Sequence, residues 1–196
     1  TPNRVDKIKE PIQSIFWIMK DDALPPLVKI TDPRLASILG CTLMTKRSTA
    51  ENTGAGANLD ALVIEPYANP FRVYPLVEDY EKFKALFDKG VDCYIINTGD
   101  YLGKKVTKEV SLGVIETVVD GKAHFELFGG LPGMEYLPVE GYEVPDMNGE
   151  YAELIRDRMQ FRLDYLKAFN DANPEHQIPQ DALESIKTIE RFIDVL

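Results

Sequence analysis

The chain has 196 residues, 44% of them hydrophobic, and a formal charge of −10 with a pI of about 4.7. Length and hydrophobic content allow one domain with a sizeable core, or one plus an appendage, and exclude a disordered chain. The acidic balance excludes a general nucleic-acid binder, which needs a basic face, and no apolar run approaches the roughly 20 residues that span a bilayer.

Thr1 to Glu10 is polar and reads as a linker or an exposed helix, with residues 1–13 leading into the first domain. The chain begins with Thr1 rather than methionine, so a piece cut from something longer is expected, and with no signal peptide visible the expected location is cytoplasmic. Ile15 to Met19 is an apolar run expected as a buried strand, and Asp21 to Pro26 turns the chain. Asp32 followed by Pro33 predicts a capped helix from Arg34 to about Met44. Lys46 to Asn58 is glycine-rich and polar, an expected loop whose Lys46, Arg47, Ser48 and Thr49 could close over a ligand or simply lie exposed.

Asp60 to Ile64 is expected as a short strand, and Pro66 to Pro75 as an extended segment. Glu78 to Lys89 has helical spacing, with Tyr80, Phe83, Leu86 and Phe87 on one face and Gly90 as its stop. The stretch from Val91 to Ser111 carries the strongest functional signal. An apolar strand, Val91 to Ile96, runs into Asn97-Thr98-Gly99, then a glycine turn with Lys104 and Lys105, then Thr107 as a helix N-cap. Ligands of α/β sheets bind beyond the carboxyl ends of strands, so this turn suits a phosphorylated or nucleotide ligand, or it is an ordinary strand-to-helix connection. It matches neither a Walker loop nor a dinucleotide fingerprint.

In the next helix Val110, Val114, Ile115, Val118 and Val119 are expected core positions. Ser111 points into that face, bonded to its own backbone or facing a ligand. Ala123 to Phe128 is expected as a strand containing His124, and Gly129 to Asp146 as an irregular connection. Asn148 or Gly149 opens a long helix to about Phe169, in which Arg158 and Arg162 fall within the apolar stripe. Buried arginines must meet carboxylates or an anion. Leu183 to Ile193 marks a final amphipathic helix. Cys41 and Cys93 lack CxxC spacing and read as buried thiols of a reducing cytosol, and no metal site is expected. The fold class expected is α/β: a mixed or mostly parallel sheet flanked by helices over residues 14–146, with a helical pair over 147–196 packed on it.

From Ile15 to about Gly121 the chain resembles the C-terminal, nucleotide-binding part of ATP-dependent phosphoenolpyruvate carboxykinases. IFWIMKDDALPP stands where that family has a strand and a two-proline turn. LASILGCTLMTKRSTAEN stands where it has a helix and a loop ending in T-E-R, YEKFKALFDKGVDCYIINTG where it has a helix and a strand ending in V-N-T-G, and GKKVTKEVS where it has G-K-R-I-S. The match covers a little over half the chain. Beyond Gly121 the tail is similar to a bacterial branch of carboxykinase-like proteins.

The resemblance implies ATP as cofactor, with Lys104, Lys105, Val106 and Ser111 forming the adenine and ribose pocket. Lys105 takes an arginine's place there and Ser111 a threonine's. Asn52 stands where the T-E-R arginine is expected, so Arg47 becomes the candidate catalytic cation. The family's P-loop lysine, metal-binding residues for Mg²⁺ or Mn²⁺ and oxaloacetate-binding arginine lie upstream of this region. The resemblance therefore implies that an upstream domain of the same protein is the partner and that these residues alone are inactive. The alternatives are a non-catalytic nucleotide-binding or regulatory module and a helical interaction domain.

Overall fold

The computed structural model describes residues 10–46 and 61–196. Strand β1 (Ser14–Met19) sends Trp17 and Met19 into the core, while Ile18 on the alternate face is 64% exposed. The chain turns through Asp21–Pro26 and returns as β2 (Leu27–Ile30). Asp32 then caps α1 (Pro33–Cys41), its carboxylate accepting from the Arg34 and Leu35 amides at 2.9 Å each. The helix ends before its expected Met44 limit, because Met44 opens β3 (Met44–Lys46), which pairs with β4 (Leu62–Ile64) as a separate ribbon.

A short 3₁₀ turn (Pro66–Ala68) places Tyr67 at φ 53°. Its hydroxyl donates to the Ser37 carbonyl at 3.0 Å and lies 3.2 Å from Cys41 Sγ. Its ring fills the space left by the missing side chain of Gly40, where a Cβ would run into it. Helix α2 (Leu76–Asp88) comes next, ended by Gly90 at φ 89°, and feeds β5 (Asp92–Asn97). Beyond a short hairpin, α3 (Lys108–Val119) packs on the sheet through Val114, although Val119, expected in the core, is 73% exposed. Strands β8 (Glu126–Leu127) and β9 (Met134–Tyr136) precede the long α4 (Gly149–Ala172) and α5 (Gln180–Ile193).

Among the described residues the main sheet has the order β1-β5-β2-β9-β8. Only β1 and β5 pair in parallel, Ser14 opposite Asp92 through Met19 opposite Asn97, and every other pairing is antiparallel. The sheet is thus mixed, the first of the two expected arrangements, and not mostly parallel. The turn at Asp21–Pro26 is short enough to bring β2 straight back, and β5 enters between the two arms. One face supplies Trp17, Val28, Cys93 and Ile95 to a core shared with α1, α2, α4 and α5. The other face, with Leu27, Tyr94 and Ile96, is covered by α3.

Helix α4 is fixed to the sheet by charge as well as by packing. Asp21, 1% exposed, accepts from Arg158 Nε and from Arg162 Nη2, both at 3.2 Å. Arg158 also reaches Asp22 at 2.6 Å. The two arginines of the apolar stripe are therefore structural ion-pair partners. Burial pulls the Arg162 guanidinium below its usual range despite Asp21. Removing one partner of such a group leaves the other charged in a dry site. Asp21→Asn is expected to lower the unfolding free energy by about 3–5 kcal/mol. Urea denaturation checks this, and a loss under about 1 kcal/mol would show that the pair does not hold α4.

Candidate functional site

The carboxyl end of β5 is closed by its last residue. Asn97 is wholly buried, and its amide nitrogen donates to the Asp21, Leu24 and Asp100 carbonyls at 2.8, 2.6 and 2.9 Å. Its side-chain oxygen accepts from the Gly99 amide at 2.9 Å. Together with Asp21 and the α4 arginines, Asn97 fills the space directly beyond the strand ends with the protein's own polar groups. A ligand on this edge must bind outside that plug.

After Gly99 the chain forms a β-hairpin where sequence reasoning expected an open loop. Strand β6 (Asp100–Tyr101) pairs with β7 (Lys104–Lys105) across a tight turn in which Leu102 and Gly103 have φ 47° and 79°. Two positive φ values are the mark of a turn normally written Asn-Gly or Asp-Gly, and leucine in the first place hides it. Thr107 caps α3 as expected, accepting from the Val110 amide at 3.4 Å.

The expected site residues separate on this hairpin. Lys105 is exposed and sits opposite Asp100. Lys104, on the other face, donates to the Gly141 carbonyl and lies 4.5 Å from the Tyr142 ring centre. Val106 is 2% exposed and belongs to the main core, so its side chain anchors the hairpin. Ser111 is half-buried and donates to the Thr107 carbonyl at 3.1 Å. Arg47 lies outside the described residues.

Lys46, expected in a loop that could close over a ligand, and Lys20, which no expectation included, lie beside the same turn. Lys46 Nζ, at the end of β3, is 4.0 Å from the Asp100 carboxylate. Lys20, just past β1, packs its Cβ against Gly99 and is tied through its amide to the Met44 carbonyl at 2.9 Å. The Cβ of Lys20, the ammonium of Lys46 and the backbone of Lys105 thus come from three elements to the Thr98–Asp100 turn. Pattern reading could not find this grouping, because it depends on the β3–β4 ribbon being pinned beside β1.

A second feature is an open hollow of about 740 Å³ between the hairpin tip and the start of α4, lined by Leu102, Asp146, Asn148, Glu150, Tyr151 and Leu154. Its acidic rim disfavours phosphates. Among the described residues, no three His, Cys, Asp or Glu side chains come together as a metal site. Among those same residues, no helix is long and apolar enough to cross a membrane. No protein-family model matches the chain, and no curated protein matches its sequence.

The two thiols are not nucleophiles. Both are buried, and burial raises Cys41 to about 12 and Cys93 higher still. Unfolded thiols ionise near 9 while the native ones stay neutral, so the native state binds more protons above that pH. Stability should therefore fall as pH rises from about 9 to 12, by up to about 1.4 kcal/mol per pH unit for each thiol. Urea midpoints at pH 8 and 10.5 check this, and Cys41→Ala should reduce the slope.

Proposed function

We propose that the chain supplies the adenine side of an ATP site in a phosphoenolpyruvate carboxykinase-like protein. The observation that carries this reading is that Lys46, 4.0 Å from Asp100, the stem of Lys20 against Gly99 and the exposed Lys105 opposite Asp100 belong to one turn beyond the carboxyl ends of the parallel pair β1 and β5. The chain as a whole repels anions at −10, so a triphosphate needs short-range cations of this kind. The sequence resemblance supports the same edge, because its G-K-R-I-S counterpart is the segment carrying Lys105.

ATP, when bound, supplies the phosphoryl group, and this chain's residues bind and orient the nucleotide. In this reading Lys105 lies along the base and ribose, with Lys46 and Lys20 toward the phosphates. Ser111 turns its hydroxyl from the Thr107 carbonyl to the ligand, an exchange of one hydrogen bond for another worth about 1 kcal/mol either way. Val106 does not fit as a purine contact at its present burial, and its part is to seat β7. The phosphate cradle and the Mg²⁺ or Mn²⁺ ligands would come from an upstream domain, and with them the decarboxylation and phosphorylation of oxaloacetate.

A second reading, an interaction domain, is favoured by the outer side of β1. No described strand pairs with it, and Ile18 stands exposed. Calorimetric titration of ATP into the intact protein separates the two. Lys105→Ala is expected to weaken ATP binding about tenfold, as for a lost hydrogen bond to a charged group, and Ser111→Ala about threefold. Unchanged affinity in both variants would remove the adenine-side assignment. No ATP binding by the unaltered protein would leave the interaction reading in its place.

A further inference from the structure

The strap between β9 and α4 grips β7 at two points that the nucleotide reading does not use. The Tyr142 hydroxyl donates to the Lys105 carbonyl at 2.6 Å. The same ring lies under the Lys104 ammonium, 4.5 Å from its centre, while that ammonium donates to the neighbouring Gly141 carbonyl. Tyr142 is itself 6% exposed and held in the main core. Gly141 has φ 78°, a left-handed conformation that favours glycine, and its backbone lies close to Lys104 Nζ. The Gly141 amide is closed in turn by the Glu143 carboxylate at 2.7 Å.

We infer that Tyr142 is a positioning residue that sets the pose of Lys105 by clamping β7 from behind. The inference rests on the nucleotide reading for its functional consequence, though not for the clamp itself. Physically the clamp is needed because the hairpin is short. Strands β6 and β7 have two residues each, and so small a ribbon is marginal without outside support. One side is fixed by the Leu102 amide on the Asp22 carbonyl at 2.9 Å and by the buried Tyr101, whose hydroxyl lies 3.3 Å from that of Tyr151 and 3.4 Å from the Glu143 carbonyl. Tyr142 fixes the other, at the carbonyl of Lys105, whose side chain is exposed. Its ring presents its negative face to Lys104 and holds that cation away from the Lys105 side.

The test uses two substitutions in the intact protein and two measurements. Tyr142→Phe removes the hydroxyl alone, and Tyr142→Leu also removes the ring from beneath Lys104. Hydrogen exchange of the amides from Asp100 to Val106 is read relative to core amides of β5, so that a general loss of stability cancels. Tyr142→Phe is expected to speed hairpin exchange about fivefold and to weaken ATP binding by a similar factor, as for one lost hydrogen bond, with Tyr142→Leu larger in both. Hairpin exchange unchanged relative to β5 in both variants would overturn the clamp. Faster exchange with unchanged ATP affinity, while Lys105→Ala does weaken ATP binding, would overturn the positioning role. Faster exchange when Lys105→Ala also leaves ATP binding unchanged would uphold the clamp and remove the nucleotide reading instead.

Discussion

The buried carboxylate of Asp21 is the constraint on which the rest of the architecture depends. It sits two residues past an inner-facing strand, out of water, and needs cationic partners of fixed geometry. Arg158 and Arg162, one helical turn apart on α4, meet that need together with the Ala23 amide at 3.1 Å. The 24-residue helix α4 is thereby held across the strand ends, and Tyr151 donates from the same helix to the Ala23 carbonyl at 2.9 Å. Asn97 completes the junction by joining the Asp21 turn to the hairpin. The polar groups that usually receive a ligand at this place in an α/β sheet are committed to one another. In the nucleotide reading proposed above, a ligand would bind outside this junction, near the Thr98–Asp100 turn.

Charge distribution is set by the same arrangement. The arginines of α4 that face the sheet are consumed internally, and near the sheet's carboxyl edge Lys46 lies 4.0 Å from Asp100. An acidic protein can in this way keep one small cationic edge while its surface as a whole stays anionic. Salt should influence that edge strongly, since exposed charges a Debye length of about 8 Å apart are screened at physiological ionic strength.

Much of the fold was legible in the sequence where one physical rule dominates. The apolar runs of β1 and β5, the Asp32 and Thr107 caps, the Gly90 stop and the burial of Arg158 and Arg162 within a helical stripe all come from local pattern. What escaped were features settled by tertiary partners. Strand β2 is four residues long and was hidden between a proline turn and a helix cap, and β9 lay inside a glycine-rich stretch. Missing them made the sheet look more parallel than it is. Val106 and Lys104 resembled ligand contacts because they share a segment with Lys105. Alternation along β7 and the strap from Val139 to Tyr142 decide that one is core, one is clamped and one faces outward. Val119 misled in the opposite sense: Ile115 and Val118 pack on the sheet, while Val119, about 140° round the helix from Val114, turns to water.

The sequence distance between Asp21 and its partners has a consequence for biosynthesis. Arg158 lies 137 residues downstream and Arg162 141. At about 5–20 residues per second, a ribosome needs on the order of ten seconds to deliver them. Throughout that interval the nascent amino-terminal strands carry a carboxylate that has no place in a dry interior, so the turn after β1 must stay hydrated. Closure of the core is thereby deferred until the last third of the polypeptide has emerged, and a chain stalled before Arg158 would hold a sheet that cannot shut.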